Sequence, residues 1–177
     1  MIACRKLWAA GAAVAVSMQP LAVAAQPACI NDAEMSAMAI YAVPGIVQSV
    51  QMRCGNRASS NGFLAQGASG FSARYAALRP TVWPRAQTGV LKYLGDRSRQ
   101  NAQNLAMVAN LPEQTVQPLL DALIVQELNP RIDPADCGAI ERMMQALVPV
   151  DPEVAGTLIG LAANFLAKDD PLVCTLE

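Results

Sequence analysis

The pairing of four cysteines decides which helix ends can meet in this chain. Cys29, Cys54, Cys137 and Cys174 remain once an amino-terminal export signal is removed. Arg5 and Lys6 supply a positive leader, Leu7 to Val16 an apolar run, and Ala22-Val23-Ala24 or Val23-Ala24-Ala25 a small-residue cleavage site just before Gln26. Residues 1–25 are therefore expected to be cleaved, and residues 26–177 to form a single helical domain. The apolar run is too short to cross a bilayer, and no other segment approaches eighteen uninterrupted apolar residues, so no transmembrane segment is expected in the mature chain. Cys29 follows Gln26-Pro27-Ala28, which lacks the aliphatic residue of a lipoprotein cleavage box. The expected location is the periplasm or the extracellular space.

In such a compartment thiols are normally oxidised, and an even count of cysteines favours two disulfides, for which four residues allow three pairings. No C-x-x-C occurs, which argues against zinc-ribbon and thioredoxin chemistry. The chain contains no histidine, so Ser-His-Asp triads, Cys-His dyads and the usual histidine metal sites are all excluded.

Between the cysteines the pattern is helical, with proline and Asn or Asp as punctuation. Asp133-Pro134-Ala135-Asp136 and Asp151-Pro152-Glu153 each place an aspartate N-cap before a first-turn proline and an acid. The helix from about Pro134 to Leu147 carries Ile140, Met143, Met144 and Leu147 at helical spacing. The next, about Pro152 to Ala167, carries Val154, Leu158, Leu161, Phe165 and Leu166, which reads as its core face. Further helices are predicted over Gly62–Leu78, from Trp83-Pro84 to a break near Gly95-Asp96, over Ser98–Asn110, and over Pro112–Leu128, where Pro118 implies a kink or the true start. Nothing alternates with a period of two. The expected fold class is all-α, a compact bundle of five to seven helices stapled by two disulfides.

A linker as short as Val148-Pro149-Val150 predicts an antiparallel hairpin, which would bring Cys137 and Cys174 to one end. Cys137 with Cys174 is the first expectation. Cys29 joins Cys54 if the chain reverses at Val43-Pro44-Gly45. If Asp32 to Met52 is instead one kinked helix, its ends lie ~30 Å apart, and the crossed pairs Cys29 with Cys174 and Cys54 with Cys137 are preferred.

Charge is segregated along the chain. Residues 53–99 hold eight basic residues against Asp96 alone, and residues 110–177 hold eleven acids against Arg131, Arg142 and Lys168. A basic face for an anionic partner is one reading; mutual neutralisation of two packed halves is the other and the favoured one. Asn104 to Leu128 resembles a helix-turn-helix, but no lysine or arginine lies between Arg99 and Arg131, so no nucleic acid is expected as a partner.

Signals for chemistry are sparse. Glu34, Glu113, Asp133, Asp136 and Glu141 are available for acid–base work on a glycan, yet Asp133, Asp136, Glu113 and Glu153 sit where helix capping explains them. Met35, Met38, Met143 and Met144 read as packing, not a soft-metal site. No phosphate loop, S-x-x-K or G-x-S-x-G is present. No cofactor is expected. The expectation is an exported, non-catalytic helical protein that binds a protein, lipid or envelope component. The alternative is a carboxylate-dependent hydrolase of envelope glycans.

Overall fold

The computed structural model describes residues 29–57, 59–97, 110–167 and 170–174. The export signal expected over residues 1–25 and most of the helix predicted over Ser98–Asn110 lie outside the described residues. Six α-helices run in chain order among the described residues, α1 (Asp32–Cys54), α2 (Phe63–Gln66), α3 (Ala68–Arg97), α4 (Glu113–Leu128), α5 (Cys137–Leu147) and α6 (Pro152–Leu166). Short 3₁₀ turns at Asn129–Arg131 and Pro134–Asp136 connect α4 to α5. The chain is all-α, with no named strand among the described residues, and two disulfides staple it.

Helix α1 organises the rest. It opens on a reciprocal capping box in which Asn31 Oδ1 accepts from the Glu34 amide at 2.8 Å and Glu34 Oε2 accepts from the Asn31 amide at 3.0 Å. The helix continues through Pro44-Gly45, where the sequence also allows a chain reversal. Gly45 serves close approach instead of a turn, because a Cβ there would lie 2.8 Å from Ile124 Cγ2 on α4. Helices α3, α4 and α6 all pack on α1.

Continuity of α1 settles the disulfides. Its 23 residues extend about 34 Å, so Cys29 and Cys54 belong to opposite ends. The expected pairs Cys137–Cys174 and Cys29–Cys54 do not form. The crossed pairs do: Cys29–Cys174 with Cα atoms 5.0 Å apart, and Cys54–Cys137 with Cα atoms 5.5 Å apart. The predicted antiparallel hairpin is corrected as well. Helices α5 and α6 turn through 120° at their linker instead of folding back on each other. Helix α5 packs on α2 and the end of α1, while α6 lies along α1. Next to Cys29–Cys174, Ile30 and Val173 form a parallel bridge, with the Ile30 amide donating to Leu172 O at 2.7 Å and the Cys174 amide to Ile30 O at 3.0 Å.

The helix predicted over Gly62–Leu78 is divided at Gly67 into the short α2 and the start of α3, and from Ala68 it is continuous with the helix predicted from Trp83 in one 30-residue α3 that contains Pro80 and Pro84. These prolines are four residues apart and exposed. The i−4 carbonyls whose amide partner they remove belong to Ala76 and Pro80, both exposed, where water is free to take up the lost bonds. The predicted break at Gly95-Asp96 does not occur, since α3 runs to Arg97. Pro118 likewise sits inside α4 without starting it.

The larger core cluster includes Val47, Val50, Leu64, Phe71, Tyr75 and Met144. A second gathers Ala37, Tyr41, Trp83, Ala86 and Val116, with the Tyr41 and Trp83 rings 5.2 Å apart. One ion pair joins the basic and acidic segments, and a second ties the basic segment to the start of α1. Arg79 on α3 forms a two-pronged pair with Asp121 on α4, both bonds at 2.9 Å, donates to Tyr41 O, and lies 4.3 Å over the Tyr41 ring. Lys92 pairs with Glu34 at 2.7 Å and donates to Cys29 O.

Candidate functional site

The most unusual surface is on α6. Asp151 caps this helix, accepting from the Glu153 and Val154 amides at 2.9 and 3.3 Å, and Pro152 supplies its first-turn φ. From that start, Ala155, Gly156, Gly160 and Asn164 fall on one face and are buried. A Cβ on Gly156 would meet Ile40 Cγ1 at 2.6 Å, and one on Gly160 would meet the Asp32 carbonyl oxygen at 2.8 Å. Small side chains thus let α6 approach the α1 backbone more closely than branched residues permit. Asn164 Nδ2 donates to Gly160 O at 3.3 Å, and its buried Oδ1 has no hydrogen-bond partner among the described residues.

Because the small face turns inward, the large residues turn outward. Val154, Leu158, Leu161, Phe165 and Leu166, the core face of this helix by sequence, are on the outside. All are exposed, Leu158 at 59%, Phe165 at 78% and Leu166 at 82%. Ile159 on the same helix is exposed, as are Met143 and Leu147 on α5 and Val148 at the α5–α6 corner. After Glu153 no charged residue occurs in α6. No single helix among the described residues is long and apolar enough to cross a membrane, although α5 and α6 together have the necessary length and composition despite the bend between them. Monomeric proteins seldom leave contiguous apolar patches much beyond about 300–600 Å² in water.

Two grooves are also present, the first adjoining this stripe at Leu161. One, of about 370 Å³, runs between α1, α3 and α6 and is lined by Asp32, Ser36, Arg85, Glu153, Thr157 and Leu161 among others. The second, of about 700 Å³, is shallow and lies between α1 and α4, with Gln48, Met52, Pro118 and Val125 in its wall.

The carboxylates named from sequence are each engaged locally or exposed, and Asp133 and Asp136 belong to the same short 3₁₀ turn. Glu34 is buried in the α1 cap and its ion pair with Lys92. Glu113 accepts from Gln117 at 2.6 Å in the first turn of α4, and Asp133 caps its 3₁₀ turn through the Ala135 amide at 2.8 Å. Asp136 stands exposed at the N-terminus of α5. Glu141 Oε1 accepts from the Leu64 amide at 3.0 Å and ties α5 to α2. Among the described residues no three Cys, Asp or Glu side chains gather as metal ligands. Met144 is in the core, Met38 lies against Gly89, and Met143 is exposed.

The titrations most displaced by the fold belong to tyrosines. Burial raises Tyr41 well above its ordinary value near 10, and the negative charge of Asp121 adds to this while Arg79 opposes it. Burial also raises Tyr75. The basic segment is in part turned inward. Arg79 and Lys92 are committed to the core pairs, while Arg53, Arg57, Arg74 and Arg85 are exposed, Arg74 donating to Val150 O at 3.1 Å and Arg53 to Ile132 O at 3.4 Å along the surface.

The inward face of α6 escaped the sequence reading, though a signal was present. Gly156-x-x-x-Gly160 puts two glycines one turn apart in a helix, which marks a close helix contact more specifically than the leucines mark a core. The chain matches no protein-family model, no curated protein and no solved structure.

Proposed function

We propose that the chain is an exported, non-catalytic helical module that works by contact, offering the outer face of α6 to a protein, lipid or envelope component of the periplasm or extracellular space. The observation that carries this reading is the reversed amphipathicity of α6. Its glycines and alanine are spent on the α1 contact, and its leucines and phenylalanine are left in water. Burying each such side chain stabilises a contact by about 1.5–3 kcal/mol relative to leaving it exposed. The disulfides suit an oxidising compartment, and they hold the two ends of α1 to elements far away in sequence, a rigid support for a binding face.

A photoactivatable crosslinker at Leu158, in the cell that exports the protein, tests this reading. Exposed Ala76 on α3 is the control position. Covalent adducts from position 158 and none from position 76 are the expected result. Equal yields from the two positions, or none from either, would contradict it.

A further inference from the structure

We infer that the partner of the α6 face is a second copy of this chain, the two helices packing against each other about a two-fold axis. The inference rests on the reading of that face as a contact surface.

Spacing is the first argument. Val154, Leu158, Leu161 and Phe165 follow one another at intervals of four, three and four residues, the spacing of a helix-pairing seam, and all four are exposed. Antiparallel pairing sets the large Phe165 end of the seam against the small Val154 end, and Leu158 against Leu161, so the stripe is complementary to itself. Charge is the second. A two-fold interface places like residues close together, and charged ones would repel. Beyond Glu153 in its first turn, α6 carries no charge to do so. The same neutrality disfavours an anionic bilayer, because helices that lie on membranes carry Lys and Arg beside their apolar face. Area is the third. Nine large apolar side chains on α5, α6 and their corner are each more than a third exposed, and each partner in a standard interface buries about 800 Å².

The test is sedimentation velocity on the disulfide-bonded protein, purified as the cell produces it, from roughly 1 µM to roughly 100 µM. The wild type is expected to approach twice the monomer mass with rising concentration. Leu158→Asp with Phe165→Asp is expected to weaken association roughly a hundredfold or more. Phe165→Ser, a milder change, is expected to weaken it measurably while far-UV circular dichroism stays unchanged. A wild type that remains monomeric throughout, or variants that associate as well as the wild type, would overturn the inference. Vesicles of phosphatidylethanolamine and phosphatidylglycerol separate the two readings. A monomer that co-sediments with vesicles through Leu158 and Phe165 overturns the second-copy inference and leaves the contact face standing. A monomer that neither binds vesicles nor crosslinks from position 158 overturns both.

Discussion

At the scale of single residues, glycines in the same fold have opposite worth. Gly160 holds α6 against the Asp32 carbonyl, so Gly160→Val forces the helices apart and is expected to lower unfolding free energy by about 1–3 kcal/mol. Gly138 in α5 faces open space, with no neighbouring atom within 4 Å of where a Cβ would stand, so Gly138→Ala is expected to raise it by about 0.4–1 kcal/mol, chiefly by restricting the unfolded chain. Urea titrations of the two variants check both signs. The buried tyrosines give a pH dependence. Tyr41 and Tyr75 hold their protons in the fold at a pH where the unfolded chain would release them. Their contribution is therefore complete below about pH 10 and is lost as pH rises from there through the raised folded values. The urea midpoint is expected to fall above that pH, and to fall less steeply in Tyr75→Phe. Local chemistry was legible in the sequence at this scale: the Asp133 and Asp151 caps stand where aspartate before proline put them. The pairing of Arg79 with Asp121, 42 residues apart, was not, because tertiary packing alone chooses that partner.

Among the helices, hydrophobic periodicity locates most segments but misjudges their joins. Proline reads as punctuation at positions 44, 80, 84 and 118, and in all four the helix continues. At positions 80, 84 and 118 the proline lies on an exposed face, where solvent is free to satisfy the carbonyl left unpaired. The short α5–α6 linker fixes proximity and not angle, and a turn of 120° carries α6 onto α1. That geometry is why the disulfides cross between distant segments. Peptide mapping under non-reducing conditions is expected to recover Cys29 linked to Cys174 and Cys54 linked to Cys137. Removal of the second bridge by Cys54→Ala with Cys137→Ala is expected to cost about 2–4 kcal/mol. Peptides joining Cys29 to Cys54 would contradict a continuous α1.

For the whole molecule, the question is which side of α6 belongs to the core. Periodicity shows that a helix has an apolar stripe and leaves open whether that stripe faces the protein or a partner. Here the choice falls to the glycines, since only the small face can reach the backbone of α1. The unfolding free energy of the Leu158→Asp, Phe165→Asp double variant tests this most directly, read by Trp83 fluorescence in urea at a dilution where both proteins are monomeric. An outward stripe predicts a value within about 1 kcal/mol of the wild type, as for surface substitutions. A loss of about 4 kcal/mol or more, the signature of charge forced into a core, would contradict the outward stripe and return it to the interior.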